Sequence, residues 1–225
     1  MVDSVASSEK PQTKQLHTCL ITVFVVFSCL IVAAWIWGIQ YGRMLLPMYQ
    51  WSFETLTPYF KVQSLQIERE NGESIIKIHA RTAASRRLGG RSVQNGVPVS
   101  SSTLLGHTLQ HVIILFTVAL SWPVGAWRER GILILLAMLG LILIEILDIP
   151  VVLAGALEDL VLANYDPGLL SSSLLVRGMD FMNSGGRLML SLVISALIVV
   201  VWKAWISRCE RCLCGNARTS EGSEA

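Results

Sequence analysis

Charge is what this sequence has least of. Only 15% of its 225 residues are Asp, Glu, Lys or Arg, against about a quarter in soluble globular chains, so an ordinary water-soluble surface is hard to build from it. Cysteine is missing where an exported fold would need it. Of the five, Cys19 and Cys29 lie in an apolar run, and Cys209, Cys212 and Cys214 lie near the C-terminus. The connecting segments therefore have no disulfide to hold them. A phosphate-binding P-loop, a GxSxG elbow, an HExxH pair and a Glu-x-x-His pair are all missing, and with them the familiar signatures of nucleotide, acyl-transfer and metal-dependent hydrolytic sites. No solenoid-type repeat is present, and a net charge of +2 gives no reason to expect nucleic acid as a partner or any cofactor.

What the sequence does have is apolar length. Hydrophobic residues make up 52% of the chain and are concentrated in four runs, 16–39, 104–124, 131–152 and 188–206. Each is close to the roughly 20 helical residues that cross about 30 Å of hydrocarbon. The first run is longer than the apolar core of a cleaved signal, about 7 to 15 residues, and is flanked by Trp35, Trp37 and Tyr41, as in an interfacial aromatic belt. It reads as an uncleaved anchor. The sequence thus predicts a mainly α-helical integral membrane protein with four transmembrane helices and a small extracytoplasmic β-hairpin segment.

Basic residues set the expected orientation. With four spans, Lys10, Lys14, Arg128, Arg130, Lys203, Arg208, Arg211 and Arg218 share one side, which the positive-inside rule makes cytoplasmic. The segment 40–103 also carries eight basic residues, but charges in a loop of about 60 residues weigh less than those in short ones. Both termini are therefore expected in the cytosol, as a polar, disordered lead over 1–15 and a tail over 207–225. The tail thiols Cys209, Cys212 and Cys214 are too few for a complete intrachain zinc site; ligation across a dimer or lipidation are the alternatives to reduced, inert thiols.

Within 40–103, Pro47 stands at a possible first helical position and Pro58 just past the end, predicting a short interfacial helix bearing Trp51. Asn71-Gly72 is the preferred two-residue hairpin turn, because both central residues need positive φ. That turn pairs Ile67 with Ile76 and Leu65 with Ile78, all on one face, and Gln66 with Lys77 and Ser64 with His79 on the other. Glu70 facing Glu73 opposes the register mildly. A lone hairpin is marginal in water, so its apolar face should rest on the interfacial helix, the membrane or another protein. Leu65, Ile67, Ile76, Ile78 and Trp51 are the candidate partner-binding residues. Arg81 to Ser102 reads as a flexible basic connection, and 153–187, with the turn signal Tyr165-Asp166-Pro167-Gly168, as two short surface helices.

Polar groups inside apolar spans are the other functional pointers, since a charge at the bilayer centre costs at least about 2.5 to 3.5 kcal/mol. Glu145 and Asp148, three apart, share a helix face; His107 and His111 open the second span, and Arg187 stands at the mouth of the fourth. All five are expected at similar depth. Pairing of Arg187 with Glu145 or Asp148 would lock the helices together. The rival reading is a metal or proton site built on His107 and His111 with a carboxylate from another helix, serving an intramembrane metal-dependent enzyme or a proton-coupled transporter.

This order of features resembles that of small bacterial membrane proteins that accompany exosortases. The resemblance lies in the first span leading to the interfacial helix and the hairpin Ser64 to Ala80, the region Asp148-Ile149-Pro150, and Gly185-Gly186-Arg187 opening the last span. It implies a bacterial inner-membrane accessory protein rather than the processing enzyme, whose Cys, Arg and His set has no counterpart here. Membrane lipid, and a membrane protein or an exported protein, are the partners expected on this reading.

Overall fold

The computed structural model describes residues 10–83, 85–88 and 91–220. Helix α1 (Lys10–Leu56) leads into strands β1 (Phe60–Glu70), β2 (Glu73–Thr82), β3 (Arg86–Leu88), β4 (Arg91–Val93) and β5 (Pro98–Leu104). Then come α2 (Leu105–Ser121), α3 (Trp127–Tyr165), a 3₁₀ turn (Pro167–Ser172), α4 (Leu174–Phe181), the irregular turn Met182–Gly186 and α5 (Arg187–Ser220). Among the described residues, three helical stretches are long and apolar enough to cross a membrane: His17–Leu56, Trp127–Tyr165 and Leu174–Arg208. Large hydrophobic side chains stay exposed along all three, including Phe24, Trp35, Leu139, Leu143, Leu192 and Val200. So continuous an apolar exterior suits lipid rather than water, and the chain has the surface of a membrane protein.

The fourth apolar helix, α2, has 17 residues and is shorter than the run 104–124 from which it was predicted. Pro123 explains the difference. A residue before proline is pushed out of the α region, and Trp122 is extended, at φ −63° and ψ 130°. A core of Leu115 and Ala119 from α2, Leu133, Ala137 and Ile144 from α3, and Ile198 and Trp202 from α5 joins these three helices.

The predicted hairpin register is present pair for pair, including Ile67 with Ile76, Leu65 with Ile78, and Glu70 with Glu73. Asn71 and Gly72 take positive φ, 52° and 88°, as this turn requires. Replacing Gly72 with valine should cost about 1–2 kcal/mol, because a β-branched residue resists that conformation. Denaturant unfolding, compared with a valine at exposed Gln66, checks it.

The surroundings of the hairpin differ from expectation. It belongs to a three-stranded sheet ordered β1-β2-β5, and the stretch 81–102 read as flexible supplies β5 and the small β3–β4 pair. Strand β5 eluded the sequence reading because its inward positions are Val99, Ser101 and Thr103; a strand covering one face needs small residues there, not a hydrophobic run. Thr82 fixes the intervening loop, donating from Oγ1 to the Gln94 carbonyl (2.7 Å) and accepting from the Val97 N–H (3.0 Å).

Two helices also run further than predicted. The expected interfacial helix is the C-terminal part of α1, with Pro47 inside the helix rather than at its start. Burial of Tyr49 and Phe53 beneath the sheet outweighs the backbone hydrogen bond that Pro47 lacks. Likewise α3 continues through Pro150 to Tyr165, absorbing the first of the two surface helices predicted in 153–187. Residues Ala154 and Leu157 are buried against the sheet. Of the expected terminal segments, residues 1–9 and 221–225 lie outside the described residues. The rest is helical backbone, beginning at Lys10 and continuing to Ser220 where a disordered lead and tail were expected. The side chains of Cys209, Cys212 and Cys214 are likewise outside the described residues.

Candidate functional site

The candidate site is a layer of buried polar groups between the helix bundle and the sheet. Asp148 anchors it. Its Oδ1 accepts from Arg187 Nε at 2.9 Å and its Oδ2 from His111 Nε2 at 3.0 Å, joining α3 to α5 and to α2. The other ring nitrogen of His111 lies 2.7 Å from Ser191 Oγ, whose hydroxyl also reaches the Arg187 carbonyl at 3.0 Å. Arg187 Nη2 donates to Thr103 Oγ1 at 3.3 Å, which ties the last strand into the same network. Asp148 and His111 are completely buried and Arg187 nearly so. Charges so placed are tolerable only when paired and hydrogen-bonded.

The second carboxylate goes to a different helix. Although Glu145 and Asp148 lie three residues apart, Glu145 accepts a short hydrogen bond from Tyr49 and a longer one, 3.5 Å, from Tyr41. Both tyrosines come from α1, and Tyr49 Oη also lies 3.4 Å from Thr108 Oγ1 of α2. One turn further on, Ser52 Oγ donates to the Ile146 carbonyl at 2.7 Å. Four helices and one strand are thus bound through two acids. Removing the Tyr49 hydroxyl (Tyr49→Phe) should cost about 1 kcal/mol, and Tyr41→Phe less, by equilibrium unfolding in detergent.

Of the five ionisable residues expected to gather, the structure brings four into this layer. The pairing choice left open for Arg187 falls to Asp148. The fifth, His107, is half-buried and lines a cavity of about 270 Å³ beside Thr103, Asn183 and Met179, with no hydrogen bond to the layer among the described residues. Both ring nitrogens of His111 are engaged, so His107 and His111 do not converge on an open coordination position. No three His, Cys, Asp or Glu side chains among the described residues group as metal ligands. Tyr41, Tyr49, Ser191 and Thr103 were missed by sequence reasoning. Three of them carried a signal: Tyr41 and Tyr49 are eight apart on one helical face, and Ser191 is four beyond Arg187.

The residues expected to meet a partner are mostly inside the chain. Ile76 and Ile78 are fully buried, while Leu65 and Ile67 are half-buried in the same cluster. The hairpin's apolar face covers α1 and α3 and is not free for another protein. Trp51 alone of that set is well exposed, at 63%. The backbones approach closely around this core. A side chain at Gly42 would meet Leu105 at 2.6 Å and Ile67 at 2.8 Å, so the absence of a Cβ there lets α1, α2 and the sheet meet.

Comparison with known protein families, with curated proteins and with solved structures finds no match.

Proposed function

We propose that the chain is a non-enzymatic subunit of a bacterial inner membrane. On this reading α1, α2, α3 and α5 cross the bilayer with both termini cytoplasmic, and the sheet stands on the outer side as a docking platform. The observation that carries it is the saturation of the two buried acids. Both oxygens of Asp148 and both of Glu145 are taken by side chains of other helices, which uses these groups as joints between elements. What the molecule then offers outward is the polar face of the sheet together with Trp51. An accessory or scaffold role alongside a membrane enzyme that processes exported proteins fits such a platform, and an exosortase-type system is the candidate suggested by the order of features.

The test is site-specific photocrosslinking in the native membrane. A photoreactive amino acid at Trp51 or at exposed Gln66 should yield one dominant crosslinked partner, and the same probe at lipid-facing Leu139 should yield none of it. A monomer recovered without crosslinks from either outer position would reject the docking role. Loss of transport or catalytic activity on replacing His107, which lies outside the joints, would favour the enzyme or transporter reading instead.

A further inference from the structure

A second chemical feature lies away from the polar layer. Where the end of α1, the start of β1, α3 and the first turn of α4 meet, the structure forms a partly open cavity of about 280 Å³. On α3 it begins at Glu158, ten residues past Asp148, or about 15 Å further along the helix axis. Its walls are mainly apolar, with Leu56, Phe60, Leu162 and Leu174 among them.

Three hydroxyls in the lining are already occupied within the chain. Thr57 Oγ1 donates to the Phe53 carbonyl at 2.7 Å, Thr82 Oγ1 donates to the Gln94 carbonyl, and Ser173 Oγ accepts from the Val176 N–H at 3.3 Å. Glu158 differs from them. Among the described residues it is the lone charged one lining the cavity, it is half-buried, and it has no hydrogen-bond or ion-pair partner there. It shares the wall with Ser173, the N-cap of α4, where a negative charge is favourable. That contribution to α4 requires no cavity, so the empty apolar volume beside the carboxylate is left without a role.

We propose that this cavity binds a small organic cation, an ammonium group carried on an apolar body. Complementarity sets the class: apolar walls take a hydrocarbon body, and a single partially desolvated carboxylate selects a positive head. Size sets the scale, since an apolar cavity of about 150 Å³ holds a benzene ring, and this one has room for a ring with a short alkyl arm. The assignment is independent of the docking role proposed above.

Titration calorimetry on the full chain in lipid nanodiscs, with empty discs subtracted, tests it with 4-phenylbutylamine against the neutral 4-phenylbutanol. The amine should bind about tenfold tighter than the alcohol. Glu158→Gln should erase that preference while leaving the alcohol's affinity unchanged, and Leu162→Trp, which fills the cavity, should abolish binding of both. Circular dichroism confirms that each variant is folded, and the partly exposed Glu158→Gln keeps the test valid should Leu162→Trp fail to fold. Equal affinities in the unaltered protein, a preference that survives Glu158→Gln, or binding that survives in folded Leu162→Trp would each overturn the proposal.

Discussion

Asp148→Ala is expected to destabilise the protein by about 3–5 kcal/mol, the range found when one member of a buried ion pair is removed. The physical cause is less the lost attraction than what remains. Arg187, 3% exposed, would keep its charge in a low-dielectric interior with the Thr103 hydroxyl as its remaining side-chain partner, and His111 would lose its acceptor. Removing the stranded charge as well, in Asp148→Ala combined with Arg187→Met, should recover most of the loss, because replacing a buried pair by apolar groups is often nearly neutral. Equilibrium unfolding of the single and double variants in mixed detergent micelles gives the coupling energy directly. A double variant no more stable than Asp148→Ala would mean that the layer does not act as a joint between helices.

Gly155→Ala is the second large effect. A Cβ built at Gly155 would lie 2.5 Å from the Leu175 carbonyl oxygen and 2.6 Å from Met179 Cβ. The first of these is backbone, so α4 must move away from α3, at about 1–3 kcal/mol for overpacking of this kind. Because α4 walls the Glu158 cavity, its displacement should also be visible as faster proteolysis near Ser173. Gly131→Ala in the same helix is the control. Nothing lies within 4 Å of a Cβ there, and alanine is favoured over glycine in a helix by up to about 1 kcal/mol, so that variant should be neutral or slightly stabilised.

Features fixed by one local rule were readable in the sequence. The Asn71-Gly72 turn set the pairing of a whole hairpin, and burial of Glu145, Asp148, His111 and Arg187 followed from the cost of charge among apolar runs. Features fixed by tertiary burial were not. Pro47 looks like a helix start and the third apolar run looks finished at 152 by local propensity, yet both points lie inside helices because Tyr49, Phe53, Leu153 and Leu157 are held in the core. Strand β5 hides behind Ser100, Ser101 and Ser102, since polar spacing satisfies a strand with one covered face as well as a linker. The allocation of Glu145 to the tyrosines of α1 was invisible because helix-face arithmetic shows which residues share a face, not which neighbour that face meets. Its consequence for function is considerable. With the sheet's apolar face turned inward, Ile76 and Ile78 serve the fold, and any docking falls to the polar face and Trp51.

Single-cysteine labelling in intact and permeabilised cells tests the threading most directly. With the native cysteines replaced, one cysteine is placed at Asn71 in the hairpin turn, at Arg128 before α3, or at Ser207 near the end of the last apolar stretch, and challenged with a membrane-impermeant maleimide. The residue at Asn71 should react in intact cells, and those at Arg128 and Ser207 only after permeabilisation. Equal reactivity of Asn71 and Arg128 in intact cells would place the sheet and the α2–α3 connection on one side of the membrane, and the four-helix threading would be wrong.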